Sequence, residues 1–383
     1  GDFAALGTAW IFSEESFMKN QSVLSYGKLR ASYGTTGNDG IGDYGYYQLW
    51  TATSSLNSES STVLTPSGLA NLDYSWEKVL KFDAALELGL LEDKILLTAN
   101  YYRNSTKDQL VGLPLPSQTG FTSVNANLPA LIRNTGLELS LNTQNVKSES
   151  FGWSTAFNIT FQNNELVSFD DLEASTYANT YVIGSSILSQ KGYLASVDPE
   201  TGVYTIEDLN NDGQITFAGD RTILGDRLPK FYGGLQNNFT FKNWSLGFLI
   251  QFVKQEDLNY LNTVFTPVGG LSNFDESVLD YWQQPGDETI YSKPTTQPNG
   301  PFYNSLSSSN NWEDASYIKL RNVNLSYNLP VAWVSKVGMQ NARVYFQGQN
   351  LITITSYTGL DPETKSTFAP PLRTLSLGLQ ANF

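Results

Sequence analysis

The feature that most constrains this chain is a period-two alternation of apolar and polar residues that returns in segment after segment. Phe82, Ala84, Leu86, Leu88 and Leu90 alternate with Asp83, Ala85, Glu87 and Gly89. Leu137, Leu139 and Leu141 alternate with Glu138, Ser140 and Asn142. Trp153, Phe157, Ile159 and Phe161 oppose Ser154, Asn158, Thr160 and Gln162. Trp244, Leu246, Phe248, Ile250 and Phe252 oppose Ser245, Gly247 and Gln251, and Val323, Leu325, Tyr327 and Leu329 oppose Asn322, Asn324, Ser326 and Asn328. A helix would repeat its apolar residues at three-and-four spacing, so these segments read as strands with one apolar and one polar face.

About eleven strands are expected, near 3–12, 22–36, 72–90, 95–110, 129–143, 151–166, 229–241, 244–257, 315–329, 341–356 and 372–383. The links 91–94, 144–150, 242–243 and 330–340 are short and 13–21 is moderate, whereas 37–71, 111–128, 167–228, 258–314 and 357–371 are longer. Short turns at one end and long loops at the other are the plan of an outer-membrane β-barrel. Long structureless loops count against a compact soluble domain. A soluble sandwich alternates too, and with it a secreted adhesin stays open as an alternative.

Composition narrows the choice. Charged residues make up only 16% of the chain and aromatic residues 13%, against about 25% charged in an ordinary soluble domain. No apolar run approaches the ~18 residues of a transmembrane helix, so a membrane crossing would have to use strands. The net charge of −14 disfavours nucleic acid as a partner. The chain has neither cysteine nor histidine, which removes thiol nucleophiles, Ser-His-Asp triads and the usual zinc ligands. The polar faces carry Arg30, Glu87, Glu138, Gln251, Arg343 and Gln347, expected to line a lumen or touch a plug.

The final strand places Leu375, Leu377, Leu379, Ala381 and Phe383 on one face. With Trp153 and Trp244, Phe383 is expected in an aromatic girdle at the periplasmic interface. Pro330 to Gly338 reads as a short amphipathic helical turn with Trp333 as an interface anchor. No signal peptide is visible at Gly1, so an exported chain is expected to be a mature product or a fragment. An odd strand count implies at least one further strand upstream, because single-chain bacterial barrels normally have an even number. An open edge in lipid is costly, so the segment is expected to close against more of the same protein or a partner.

Several motifs together resemble SusC/RagA-type TonB-dependent transporters. They are LRASYGTTGNDGIG at 29–42, DLNNDGQI at 208–215, DRTILGD at 220–226 and PKFYGGLQNNFTFKNWSL at 229–246, followed by YIKLRNVNLSYNLP at 317–330, ARVYFQGQNLITIT at 342–355 and LDPE at 360–363. They run in order over nearly the whole chain to the terminal Phe383. The resemblance implies a transmembrane antiparallel barrel of 22 strands, of which residues 1–383 are the C-terminal half. It also implies an upstream plug and TonB-contacting segment, and a SusD-like surface lipoprotein as a lid. The implied cargo is an oligosaccharide or a peptide, and the implied place is the outer membrane of a Gram-negative bacterium, loops outside and C-terminus in the periplasm. A passive pore, or a structural barrel of a secretion or surface-assembly complex, is the alternative function.

Local chemistry is sparse. Asp208, Asn210, Asp212, Gly213 and Gln214 repeat the opening of a calcium-binding EF-hand loop, with the closing acid one place late at Asp220. Calcium is one reading, an acidic turn held by its own Asx hydrogen bonds the other. Gly40, Gly42 and Gly45 match a dinucleotide fingerprint without its βαβ setting and read as loop. Glu14/Glu15 and Asp170/Asp171 are adjacent pairs that point apart, which argues against a glycosidase dyad. No catalytic residue and no organic cofactor are expected. Trp50, Tyr281, Trp282 and Trp312 in the long loops are candidates for stacking on substrate, or for packing their own loops.

Overall fold

The computed structural model describes residues 3–19, 22–54, 62–259, 269–271, 273–274, 276–365 and 369–383. Eleven strands form one antiparallel sheet in which each strand pairs with the next in sequence. They are β1 (Ala5–Trp10), β2 (Leu24–Asn38), β3 (Glu77–Leu90), β4 (Ile95–Pro114), β5 (Ser123–Lys147) and β6 (Phe151–Phe169). β7 (Phe231–Phe241), β8 (Trp244–Lys254), β9 (Tyr317–Asn328), β10 (Asn341–Thr355) and β11 (Thr374–Asn382) complete it.

Cross-strand register turns the sequence alternation into two faces, because directly paired residues share a side of the sheet. One row across ten strands reads Trp10, Leu29, Leu86, Ala99, Leu139, Ile159, Gly233, Phe252, Ile318 and Ile354. The next row on the opposite face carries Arg30, Ala85, Asn100, Glu138, Thr160 and Tyr232. Gly233 belongs in the apolar row because a Cβ there would lie 2.6 Å from the Phe252 ring, which covers its backbone. This continuous wall is polar on one side and apolar on the other, and its apolar side is left uncovered, with Leu29, Leu137, Phe161 and Ile318 all exposed. It fits a bilayer on one side and a wet lumen on the other.

Strand ends differ from the sequence reading in a physically consistent way. The expected long link 111–128 shrinks to 115–122, because β4 and β5 keep pairing to Pro114 and Ser123 past a bulge at Lys107/Gln109. The expected strand 244–257 breaks at Gln255, where the chain leaves the wall and starts a separate two-stranded ladder of Glu256–Leu258 with Trp312–Asp314. The tight turns are made with left-handed backbone at Leu91, Glu92, Asp93 and Lys242. The expected turn of helix is present as α2 (Val331–Val334) and a 3-10 turn closed by Gly338 at φ +78.

The long connections cluster at the opposite end and fold on their own. Small hairpins form from Trp50–Ser54 with Thr62–Pro66 and from Ala195–Val197 with Tyr204–Ile206, and Ser189–Tyr193 pairs with Arg221–Asp226. A short helix, α1 (Gly300–Ser305), is capped by the Asn299 side chain. The hydrophobic cluster of Leu128, Ala130, Ile132, Leu166 and Phe169 lies where β5 and β6 meet this loop layer. Leu172, Tyr177, Tyr181 and Ile187 of the 170–230 connection pack against it.

Candidate functional site

The polar face of the wall is cross-linked laterally. Glu87 accepts from Arg30 at 3.1 Å and Lys28 at 3.5 Å, and Asn100 Nδ2 donates to Asp83 at 3.3 Å and Glu138 at 3.2 Å. These are partly exposed pairs, each contributing little to stability on its own. They form a charged, hydratable lining. Of the residues expected there, Arg30, Glu87, Glu138 and Gln251 lie on this face by register. Arg343 donates to Gln380 at 2.7 Å on the neighbouring strand, and Gln347 sits in the β9–β11 register beside Asn324 and Ser376.

Toward the loop end the polar face carries one buried charge cluster. Lys319 of β9 reaches the connection between β10 and β11, bonding Asp361 at 2.7 and 3.0 Å and Glu363 at 3.0 Å. Its side chain is only 4% exposed and that of Asp361 7%. Arg321 pairs with Glu363 and donates to Gln251 and Asn350. Burial disfavours the Asp361 anion, but the Lys319 ammonium and the Thr364 and Glu363 N–H groups outweigh it and hold its carboxyl below the ordinary aspartate value. The same balance, with Lys319 and Arg321 as partners, lowers Glu363. Removing Lys319 would strand the buried Asp361 carboxylate, whereas Glu363 is shared between Lys319 and Arg321.

Around this anchor three long connections interlock. Gln255 Nε2 donates to Ala315 O at 3.1 Å and Pro362 O at 2.8 Å. Asp257 takes Arg227 at 3.1 Å and Lys365 at 2.7 Å, joining three connections at one carboxylate. Tyr357 Oη donates to Leu258 O at 3.3 Å. Backbone bonds run from Gly286 to Pro199, from Lys293 to Gly202 and from Tyr193 to Ser307. The result is one ordered layer beside the polar face at the long-loop end.

Trp282 and Trp312 are structural members of that layer. Trp282 Nε1 donates to Pro199 O at 2.7 Å, and its ring lies against Gly202, at φ +67, where a Cβ would come within 2.3 Å. Trp312 Nε1 donates to Glu256 at 3.2 Å while its ring covers Gly225. Tyr281 bridges to Tyr291. Trp50, 56% exposed on its hairpin, is the one of the four that is exposed, the other three being half-buried. The structure does not bring the four into one pocket.

The Asp208–Asp220 loop is closed by its own backbone. Asp208 accepts from the Asp212 and Gly213 N–H groups, Asn210 from Asp212, and Asp212 from Gln214 at 2.8 Å. Asp220, fully buried, accepts from Leu209, Thr216 N and Thr216 Oγ1, and these bonds, led by that from Thr216, hold its carboxyl low. Among the described residues no group of three or more His, Cys, Asp or Glu side chains is placed to hold a metal ion.

At the short-turn end, Trp153 stacks on Phe239 at 5.6 Å, Trp244 meets Tyr327 at 4.7 Å, and Trp333 and Phe383 are exposed. All four lie toward the short-turn end, Trp153 two register positions further in than Trp244. The sequence reading missed a second aromatic line at the far edge of the apolar band, where Tyr33, Phe82, Tyr101 and Phe161 share that face. It also missed Lys319, Arg321, Asp361 and Glu363. Their only signal was membership of two separate motifs, YIKLRNVNLSYNLP and LDPE.

No protein-family model matches the chain. TonB-dependent receptor P3 of Formosa agariphila is 31% identical over 392 residues, covering 94% of this chain and 38% of that protein. TonB-dependent receptor SusC of Bacteroides thetaiotaomicron is 26% identical over 423 residues, covering 100% and 40%. The structure of the RagAB peptide transporter superposes with a TM-score of 0.84 at 26% identity, covering 100% of this chain and 43% of the matched one. The chain thus spans about two fifths of the relatives it matches.

Proposed function

We propose that residues 1–383 are the C-terminal part of the barrel of an energised nutrient importer, one of the SusC/RagA-type TonB-dependent outer-membrane transporters to which the chain is similar. The observation that carries the reading is the wall itself. Eleven sequential strands keep one apolar face toward lipid and one hydrogen-bonded polar face toward a lumen, with every long connection at the same end. In this reading the short turns and Phe383 face the periplasm and the loop layer faces outward. A plug and a TonB-contacting segment belong to the rest of the protein.

The interlocked layer formed by the described residues of the 170–230, 255–316 and 356–373 connections supplies a preordered rim on which a SusD-like lipoprotein lid would seat. A rim tied by buried ion pairs keeps its shape as a lid opens and closes, which mobile loops would not. The cargo is an oligosaccharide or a peptide too large for passive diffusion, with Trp50 as an exposed stacking surface. Calcium at Asp208, Asn210, Asp212, Gln214 and Asp220 would act only to stiffen this layer.

Uptake by the producing cells of panels of fluorescent oligosaccharides and oligopeptides tests the proposal. Uptake is expected to require both the full-length transporter and TonB. Uptake that persists without TonB would make the barrel a passive pore.

A further inference from the structure

The apolar face ends abruptly in cations. On β3, β4 and β5 the residues beyond the Tyr33–Phe82–Tyr101–Phe161 line include Lys78, Arg103, Lys107 and Arg133, all on the outward face by register. Arg103 is level with Phe82, and Lys107 pairs directly with Lys78. Lys78 lies 3.7 Å from Asp108 and Arg133 lies 3.4 Å from Glu165. Arg103 and Lys107 have no carboxylate within ion-pair distance among the described residues, and both are exposed. Two cations without acids, on the lipid-facing side of a chain with net charge −14, invite an anion from outside.

The wall beneath them is hollowed. A shallow apolar depression of about 550 Å³ runs over Trp10, Leu29, Ala31, Ala84, Ala99 and Tyr101. Small alanines on three neighbouring strands make the hollow, with Trp10 and Tyr101 as its borders. A second depression of about 340 Å³, lined by Tyr33, Phe82, Tyr101 and Arg103, continues it upward. Tyr101 borders both, so apolar hollow, aromatic step and guanidinium follow one another along the strands.

We propose that this outward face of β2–β5 is a binding site for a phosphate-bearing lipid of the outer leaflet, its headgroup phosphate held by Arg103 and Lys107 and an acyl chain lying in the alanine hollow. A phosphate monoester matches the guanidinium fork and the nearby ammonium. An acyl chain lying over Ala31, Ala84 and Ala99 fills a recess that straight neighbouring chains would leave underpacked. The site rests on the membrane orientation proposed above, and it lies on the opposite face from the lumen, so cargo does not reach it.

The test uses the full-length transporter extracted in detergent, delipidated, and titrated with phosphorylated lipid A or its dephosphorylated form, with native mass spectrometry as readout. The wild type is expected to retain the phosphorylated lipid, and R103Q/K107Q to lose about tenfold or more in apparent affinity. The dephosphorylated lipid should bind both proteins equally weakly. Equal retention of the two lipids by the wild type would overturn the headgroup site, and so would displacement of the lipid by millimolar inorganic phosphate. Should the double variant fail to fold, as judged by heat-dependent gel mobility, the two-lipid comparison on the wild type decides alone. Solubility without detergent would instead sink the membrane reading itself, a distinguishable failure.

Discussion

Trp153 donates its indole N–H to Asn237 Oδ1 at 2.9 Å, from one barrel strand to the next, on the face that is otherwise apolar. Thr155 Oγ1 donates to the same oxygen at 2.7 Å, Asn145 donates to Thr155 at 2.7 Å, and Thr143 donates to Asn145 at 2.9 Å. Asn237 is 7% exposed, under Trp153 and its stacked neighbour Phe239. A polar chain can sit against lipid only if its members satisfy one another.

Replacing Asn237 by Ala should therefore cost about 1–3 kcal/mol, because it orphans two donors at once. Trp153→Phe should cost less, since Thr155 still serves Asn237. The temperature at which the folded barrel loses its fast gel mobility reads both, and identical transitions for N237A and wild type would refute the assignment.

Lys319 and Asp361 form the second buried pairing on which the structure depends. Lys319→Met should release the 356–373 connection, at a cost of about 3–5 kcal/mol for a buried carboxylate left unpaired. Lys319→Met combined with Asp361→Leu should be milder than either change with its partner charged. Limited proteolysis of the intact protein would show cleavage near 360 in the single variant. A single variant as resistant as the wild type would mean that the pair carries no load.

Acid should reproduce that release. Asp361 and Glu363 are both held below their ordinary values of 3.8 and 4.5. A carboxyl with a lowered folded-state value stabilises at pH above the ordinary value and loses that contribution as pH falls through the lowered one. Hydrogen exchange of 357–365 should thus stay slow from neutrality to about pH 4.5 and quicken, after correction for intrinsic rates, only below 3.8. Release beginning above pH 5 would place the anchor elsewhere.

The wall was legible because its information is local. Period two in Phe82–Leu90 or Trp244–Phe252 follows from backbone geometry alone, and each strand announces itself without reference to its partners. What escaped was decided at long range. Lys319 and Asp361 are 42 residues apart, and only the folded connection shows that they share one site. The Lys107/Gln109 bulge is similarly silent, so the sequence marked a loop where β4 and β5 continue. The loop tryptophans were visible as residues but not as roles: their rings lie on glycines, and their indole N–H groups reach a backbone carbonyl at Pro199 and the distant Glu256, pairings that carry no compositional signal.

That division predicts opposite phenotypes for two tryptophans. Trp282→Ala should loosen the 199–202 and 281–293 segments toward protease while cargo affinity follows only indirectly. Trp50→Ala should leave proteolysis unchanged and weaken uptake of a ring-bearing cargo by ~2–10-fold, the value of one stacking contact. Equal uptake by W50A and wild type would remove Trp50 from the cargo path.

The Asp208–Asp220 loop offers the sharpest choice between two sources of order. Its carboxylates already accept N–H groups of the same loop, and the fully buried Asp220 accepts two such bonds and one from the Thr216 hydroxyl. If backbone capping is what orders it, protection of 200–225 from protease should survive a calcium chelator and fall in Asp220→Ala, where Leu209 and Thr216 lose their acceptor. If calcium orders it, the chelator alone should expose the segment, and Asp212→Ala should do so even in added calcium. The hydrogen bonds favour the first outcome. A protected loop in Asp220→Ala would contradict it, whatever the metal does.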